Sequence, residues 1–245
     1  VTITADKVTI DRFKIKGGYY GVWLSDNSNL VLQRNLITGS INNAYVGTQN
    51  INTAHRILNN TFVGLPQSQA AYRTDINLIF NTWGSSVATS LVANNIFYST
   101  STASIEVGQN SGKMDFRNNL FLNCGYSGVG YPANGCNSNG VIQPDQNGDY
   151  YLGRMRWAFI FWNGEGPASV YKVYAPELFD TDPLFVSSAL ENYHLQNASP
   201  AKDAGYPVGL AYNGSYPDIG AFELVAYTPT TTNTPINSNT PTITV

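Results

Sequence analysis

The sequence predicts an all-β fold, a right-handed parallel β-helix (solenoid) that ends in an extended Thr/Pro-rich C-terminal tail. Three observations predict it. The first half contains an internal repeat, the candidate strands are short with frequent turn residues between them, and no stretch has the long 3.6-residue period of a capped helix. Short strands are also typical of sandwiches and barrels, but equivalent residues that recur once per coil indicate a solenoid.

The internal repeat defines one coil of the solenoid. One coil is roughly 22–25 residues long, with an insertion of about ten residues in the third interval. Each coil reads as a strand, a bend, a second strand, a turn and a third strand. The aligned segments are Lys7–Gly17, Asn29–Gly39, Ala54–Gly64, Thr89–Ser99 and Lys113–Asn123. The predicted third strands are Gly21–Asp26, Ala44–Gln49, Asn77–Asn81, Ser104–Gln109 and Gly128–Tyr131.

Three columns of the aligned repeat have clear structural meanings. The fourth and ninth columns are apolar in every segment, so we expect them to face inward and stack into a continuous core. These columns contain Ile10, Leu32, Ile57, Val92 and Phe116, and Ile15, Ile37, Phe62, Phe97 and Phe121. The seventh column contains Phe13 and then Asn35, Asn60, Asn95 and Asn119. We expect these asparagines to form an asparagine ladder and to supply the left-handed backbone of the bend.

The composition excludes several classes of function. Lys and Arg total 13 against 16 Asp and Glu, for a net charge of -3 and a pI near 5.3. Nucleic acids and anionic membranes bind clusters of Lys and Arg, so no nucleic-acid partner is predicted. No apolar run is long enough to span a membrane, and membrane insertion is not predicted. Two Cys and two His are too few for a Cys/His metal scaffold.

The C-terminal composition predicts a division into a β-helix domain, residues 1–225, and a tail or linker, residues 226–245. No charged residue follows Glu223, and Thr-Pro recurs from Thr228 onward. Such a segment buries little, and each Pro favours an extended backbone. This composition is typical of secreted linkers and stalks, so the predicted location is secreted, extracellular or at the cell surface.

Cys124 and Cys136 lie in a stretch rich in Gly and Asn. In an extracellular protein, their spacing indicates a disulfide that closes a loop. The alternative is a pair of free buried thiols.

The C-terminal part of the domain carries a family resemblance. Its motifs are Asp182-Pro183-Leu184-Phe185-Val186, Tyr193-His194-Leu195-Gln196, Ser199-Pro200-Ala201-Lys202-Asp203-Ala204-Gly205 and Asp218-Ile219-Gly220-Ala221-Phe222-Glu223. This run resembles the C-terminal end of secreted bacterial right-handed parallel β-helix proteins of the pectate-lyase-like superfamily. The resemblance implies the fold and secretion. It does not select an activity, because that superfamily includes lyases, hydrolases, epimerases and adhesins.

The superfamily's lyase members need a base and a group that neutralises a uronate, often Ca²⁺ held by carboxylates. The outward columns of the repeat present no carboxylates on adjacent coils, so no calcium cage is visible. No cofactor is predicted, with Ca²⁺ left as the open alternative. Only the last coil, with Lys113, Asp115 and Arg117, is polar enough for chemistry, and a surface ion pair is the preferred interpretation of Asp115 and Arg117. Arg156 and Glu165 are further weak candidates.

A second candidate site is an aromatic segment that would bind carbohydrate by stacking. Its candidate residues are Trp157, Trp162, Tyr150 and Tyr151. Aromatic density near the end of a solenoid is also typical of cap packing. His55 falls in an inward column and His194 in the family-like strand, so both are interpreted as structural.

The outward positions also contain an aliphatic strip that includes Val31, Leu58 and Leu91. Contiguous exposed aliphatic residues indicate a covered surface, and the cover would be a terminal segment, a loop or a neighbouring subunit. The alternative is an inward/outward assignment that is shifted by one residue, which would make the strip core.

The two ends of the sequence predict self-association. The first strand, with Val1 and Ile3, has no predicted helical cap, and the tail ends in β-branched residues that include Ile243 and Val245. An open sheet edge and an extended segment are the two halves of a strand-addition contact. Repeated head to tail, that contact builds a filament. The preferred function is therefore structural assembly; the alternatives are a polysaccharide lyase or hydrolase, and a non-catalytic carbohydrate-binding module.

Overall fold

The repeating strands wind around one axis and form a parallel β-solenoid, which confirms the predicted fold class. The computed structural model describes residues 1–26, 29–48, 54–65, 76–82, 89–100, 103–107, 113–124, 143–144, 150–151, 159–161, 171–174, 177–179, 181–224 and 242–244. Successive strands of the chain enter three different sheets in turn, so that each coil adds one strand to each sheet.

The three solenoid sheets, named A, B and C, contain six, six and seven strands. Sheet A contains β1 (Thr2–Ile3), β4 (Tyr20–Ser25), β7 (Asn42–Thr48), β10 (Ile76–Thr82), β13 (Ala103–Val107) and β18 (Phe159–Phe161). Sheet B contains β2 (Thr9–Asp11), β5 (Val31–Gln33), β8 (Arg56–Leu58), β11 (Thr89–Ala93), β14 (Lys113–Arg117) and β19 (Tyr171–Tyr174). Sheet C contains β3 (Lys14–Lys16), β6 (Leu36–Thr38), β9 (Thr61–Val63), β12 (Ile96–Thr100), β15 (Leu120–Cys124), β20 (Leu178–Phe179) and β23 (Thr242–Thr244).

The remaining elements are short. Strands β16 (Gln143–Pro144) and β17 (Tyr150–Tyr151) pair with each other in antiparallel orientation. The same is true of β21 (Phe185–Ser187) and β22 (Asn192–Leu195), which flank a 3-10 helix at Ser188–Leu190.

The core forms from the two predicted apolar columns. In the ninth column, Ile15, Ile37, Phe62, Phe97 and Phe121 are all fully buried. Phe62 and Phe97 stack with their ring centroids 5.1 Å apart, and Phe97 and Phe121 stack at 5.0 Å. The fourth column is buried as well. Identical side-chain positions therefore meet once per coil, which confirms the predicted inward phase of the repeat.

The seventh column forms the predicted asparagine ladder. Asn35, Asn60, Asn95 and Asn119 are completely buried. Each side-chain amide donates to the carbonyl oxygen of the next Asn, at 3.0 Å from Asn35 to Asn60, 3.0 Å from Asn60 to Asn95 and 2.9 Å from Asn95 to Asn119. Each carbonyl oxygen also accepts the backbone N–H of the Asn one coil earlier. In the first coil, where Phe13 stands in this column, its backbone N–H donates to Asn35.

The left-handed backbone of the bend belongs to the sixth column, so the prediction that the ladder asparagines supply it is wrong. The residues with positive φ at this bend are Arg12, Arg34, Asn59, Asn94 and Asn118. The two tasks are separated because a ladder side chain must point into the solenoid, whereas the preceding residue turns the backbone and points outward.

The C-terminal segment, residues 181–224, packs against the outside of the solenoid and forms a second core. Leu36, Val63, Ile96 and Leu120 lie on the outer face of sheet C and are buried. They pack with Phe185, Tyr193, Leu195, Ala201 and Ile219 of the C-terminal segment. The motifs that carry the family resemblance therefore cover one side of the coils.

The sixth-column asparagines hold this segment in place. Asn59 donates to the carbonyl of Asp218 at 2.8 Å, and Asn118 donates to the carbonyl of Ala204 at 2.8 Å. Asn94 donates to the carbonyl of Tyr206 and accepts its N–H. Gly220, with φ +107°, comes so close that a Cβ there would lie 2.7 Å from Ile96. Only glycine permits this approach.

Four of the five predicted third strands overlap β4, β7, β10 and β13. The fifth, Gly128–Tyr131, lies outside the described residues, and the place beside β13 is occupied by β18, whose Phe159 pairs with Ile105. The prediction of Gly128–Tyr131 for that place is therefore wrong. A long insertion precedes β18, and the short-period pattern does not predict an insertion of that length.

Replacing Asn95 by Ala is expected to lower the free energy of unfolding by about 3 kcal/mol, because it leaves buried donors and acceptors of two neighbouring coils without partners. Asn213→Ala, on an exposed loop, is the matched control and should change it by less than about 0.5 kcal/mol. Chemical denaturation followed by circular dichroism measures both. Equal losses of unfolding free energy in the two variants would contradict a stabilising role of the asparagine ladder.

Candidate functional site

The N-terminal edge of sheet C is occupied by a strand from the tail. Strand β23 pairs in parallel with β3, with Thr242 opposite Lys14, Ile243 opposite Ile15 and Thr244 opposite Lys16. Ile243 therefore stands in register with the column of inward residues that begins at Ile15. The backbone groups of β3 that face away from β6 thus have a partner strand in the same chain.

Two lysines of β3 form ion pairs with the C-terminal segment. The Nζ atom of Lys14 lies 3.0 Å from Glu191 Oε2, and Lys16 Nζ lies 2.5 Å from Glu191 Oε1. These ammonium groups lower the pKa of the Glu191 carboxyl. Glu191 follows the 3-10 helix and adopts a left-handed backbone with φ 55°. One carboxylate therefore binds both cations of the edge strand and offsets one of their two positive charges.

The polar site predicted in the last coil of the repeat is an ion pair. Arg117 Nη2 lies 2.7 Å from Asp115 Oδ2, and Arg117 Nε donates to the same carboxylate. The Arg117 guanidinium also lies under the Tyr206 ring, 4.6 Å from its centroid. Lys113 belongs to the same strand, β14. Asp115 and Arg117 are held by each other and by the C-terminal segment, which is the arrangement of a structural pair.

The predicted aliphatic strip is largely covered within the chain. Leu58 is buried, and Val31 and Leu91 are half-buried. The C-terminal segment runs over this side of the coils, where Arg56 donates to the carbonyl of Val208 at 3.1 Å. Leu58, proposed from the sequence as an assembly residue, therefore offers little surface to another molecule.

An aromatic cluster that the sequence analysis missed lies on the outer face of sheet A. Trp23 and Tyr45 stack with centroids 4.2 Å apart and planes 10° apart. Tyr20 packs against both rings, at 4.5 Å and 5.4 Å, and Tyr19 contacts Tyr20 at its edge. Trp23 and Tyr45 occupy one register position on adjacent coils, so their one-coil spacing in the sequence is the signal that would have revealed the pair.

The asparagine ladder ends on a carboxyl group. The backbone N–H of Asn119 donates to Glu177 Oε2 at 2.7 Å, and its side-chain amide donates to Oε1 at 3.2 Å. Burial raises the pKa of Glu177 well above its usual range, and the charge of Asp115 raises it further. The sequence contained a signal for this residue, because Glu177-Leu178-Phe179 matches Asn119-Leu120-Phe121 with Glu in the ladder position.

His55 occupies a buried position, as interpreted from the sequence, whereas His194 lies on the exposed side of β22. His55 is buried in the solenoid, and its Nδ1 accepts the N–H of Leu30 at 3.3 Å. Burial lowers the pKa of His55 to about 4. His194 stacks on Phe222 with centroids 4.1 Å apart, and burial lowers its pKa too.

Several predicted site residues lie beyond what the structure describes. Arg156, Trp157, Trp162, Glu165, Cys136 and Val245 lie outside the described residues. Tyr150, Tyr151, Cys124 and Ile243 are described only as members of β17, β15 and β23. Val1 and Ile3 lie at the edge of sheet A, where Ile3 is buried. The disulfide and the aromatic carbohydrate site therefore stay predictions.

The described residues contain no group of three or more His, Cys, Asp or Glu side chains arranged to hold a metal ion. In the same part of the chain, no helix has the length and apolar character needed to cross a membrane.

Replacing Glu177 by Gln is expected to raise stability at neutral pH. A carboxyl with a raised folded pKa stabilises the fold most below its unfolded pKa near 4.5, and that contribution is lost as pH rises through the folded value. The amide stays neutral, and its one carbonyl oxygen is expected to accept both the N–H and the side-chain amide of Asn119, as Asn119 Oδ1 does for Asn95. Between pH 4 and pH 8, the temperature of thermal unfolding should fall less steeply with rising pH for the variant than for the natural chain.

Glu191→Gln is the control of opposite sign for that experiment. The pKa of Glu191 is lowered, so its contribution is present above pH 4.5 and is lost as pH falls. This variant should therefore lose stability at neutral pH. A parallel response of the two variants would contradict the description of Glu177 as a buried carboxyl with a raised pKa at the end of the ladder.

Comparisons with protein-family models, with curated proteins and with solved structures found no match to this chain. The function proposed for it therefore rests on its own residues and their geometry.

Proposed function

We propose that this chain is a secreted structural β-helix protein that self-associates head to tail, in extracellular material or at a bacterial cell surface. We further propose that it is right-handed and belongs to the pectate-lyase-like superfamily. The C-terminal motifs support this membership, because they form a segment that covers the coils and closes on the sixth-column asparagines.

The observation that carries the assembly role is the parallel pairing of β23 with β3. This pairing supports the proposal because it is a strand-addition contact at one end of the solenoid axis, between two segments that are far apart in sequence. A solenoid that pairs its terminal coil with an extended segment has the two complementary surfaces that head-to-tail contacts need.

Part of the side of the solenoid is already covered, which favours its ends as the surfaces for contact between copies. The outer face of sheet C and part of sheet B are covered by residues 181–224. The low charge adds to this preference, since a chain with only 12% charged residues resists self-association weakly. Polar but uncharged surface of this kind suits a protein whose role is contact with copies of itself.

The assembly role predicts that the mean mass of the full chain rises with protein concentration, with linear particles in negative-stain electron microscopy. Ile243→Asp places a charge opposite Ile15 in the β3–β23 register and should shift assembly to at least several-fold higher concentration. Asn239→Asp adds the same charge to the tail outside that strand and is the control. Multi-angle light scattering that finds only monomers at every concentration would overturn the proposal.

A second candidate function is carbohydrate binding, and the aromatic cluster of sheet A supports it. Trp23, Tyr20, Tyr45 and Tyr19 place four rings with polar rims on one outer face, and Tyr19 is 55% exposed. Aromatic rings of this kind stack on apolar faces of other molecules while their polar groups hydrogen-bond. The catalytic alternative, a lyase or hydrolase, stays a prediction, and its candidate residues are Lys113, Asp115, Arg117, Arg156 and Glu165.

Carbohydrate binding predicts that Trp23→Ala weakens the affinity for a polysaccharide found on a glycan array by about tenfold or more, because Trp residues dominate binding energies at aromatic contacts. Tyr212→Ala removes an exposed ring on the C-terminal segment and is the control. Isothermal titration measures both affinities. Unchanged binding in Trp23→Ala would exclude this cluster as the site.

A further inference from the structure

We propose that the β3 edge of sheet C is an exchangeable strand-acceptor site, which the chain's own β23 fills in the single molecule and the β23 of a second copy fills in the assembly. This inference rests on the assembly role proposed above. It adds which segment of the second copy binds and how the chain's own strand regulates that binding. The chain's own strand acts as a cap that keeps the edge closed until a second copy replaces it.

The register makes the two pairings equivalent. The contacts of β23 with β3 run from Thr242 opposite Lys14 to Thr244 opposite Lys16. A second copy carries the same residues, so its strand makes the same backbone hydrogen bonds and occupies the same register. The occupancy of the β3 edge by the chain's own β23 or by that of a second copy is then set by the local concentrations of the two strands, because their contact energies are equal.

The short length of β23 makes its release easy. The strand contains three residues, Thr242–Thr244. A strand of this length adds few hydrogen bonds and little buried area, so its opening costs much less than unfolding of the coils. No charged residue lies between Glu223 and Val245, so no ion pair has to break when the strand leaves.

The ion pairs of Glu191 keep the edge open to a strand. Lysines on an edge strand normally oppose the addition of another strand. Here Lys14 and Lys16 are both bound to Glu191, which belongs to the segment that covers sheet C. Its single negative charge offsets one of the two positive charges beside the edge. Repulsion of an added strand is thereby reduced, and β23, which contains only Thr and Ile, brings no like charge to the site.

The connector sets the concentration at which exchange begins. Residues 225–241 join Leu224 to Thr242, and a connector of this length spans at most about 60 Å. A linker between two binding segments makes their contact intramolecular, and short linkers correspond to effective concentrations on the order of millimolar. The chain's own strand therefore fills the site at micromolar concentration, and a neighbour's strand competes when copies are crowded toward millimolar concentration.

Disulfide trapping between Lys16→Cys and Thr244→Cys tests the exchange in the full-length chain. The two positions are opposite each other, and neighbouring strands lie about 4.8 Å apart, within the range that a disulfide bridges. Two single variants are mixed at concentrations from about 10 μM to about 1 mM and oxidised. Thr2→Cys on β1, mixed with Thr244→Cys, is the control for chance contact and for the natural cysteines. The double variant reports the pairing within one chain.

Exchange predicts a mixed disulfide dimer whose yield rises with concentration and exceeds that of the control pair at least tenfold, together with an intramolecular disulfide in the double variant. An intramolecular disulfide without any mixed dimer overturns the exchange. Failure of both disulfides overturns the acceptor site itself. If either failure occurs while light scattering still finds oligomers, the proposed assembly role stands on other contacts; if only monomers are present, both proposals fail.

Discussion

The stacking of one buried amide on the next is the interaction on which the rest of this molecule depends. Each ladder Asn accepts the backbone N–H of the ladder position one coil earlier, and its side-chain amide donates to a backbone carbonyl of that earlier coil and to the side-chain carbonyl of the next Asn. Because the bend between sheets B and C is buried, these backbone groups have no access to water, and a missing partner would cost about 1–3 kcal/mol each. The ladder thereby fixes the register of all neighbouring strands, and the aromatic and aliphatic columns follow that register.

Division of labour between two adjacent residues explains how one bend serves both the inside and the outside of the solenoid. The ladder residue points inward, and the left-handed residue before it, such as Asn94, points outward and binds the C-terminal segment. Asn suits both places for different reasons, namely amide pairing inside and tolerance of positive φ outside. The abundance of this residue in the sequence thus has two structural causes.

The repeat allowed the core and the ladder to be predicted, because side chains of a given column must all face the same way once the coil length is known. Ile10 and Phe121 were assigned inward for this reason, and both are buried. Glu177 was not found, because a long insertion separates it from the previous coil and a carboxyl replaces the amide. The sequence predicted that the β-branched, uncharged tail adds to an open sheet edge. It identified neither β3 as the acceptor nor a pairing within one chain, since strand partners remote in sequence leave no local periodic pattern.

The clamp of the C-terminal segment has a consequence for the order of folding. Coils add to a solenoid one after another, each pairing with the strand made roughly one repeat earlier. The hydrogen bond between Asn59 and Asp218 instead joins residues 159 positions apart, and that between Asn94 and Tyr206 joins residues 112 apart. Such distant contacts close last, because the intervening chain must already be in place. The outer face of sheet C, with Leu36 and Ile96, therefore stays uncovered during synthesis until about the final quarter of the chain arrives. This interval is when a growing molecule is most exposed to its neighbours.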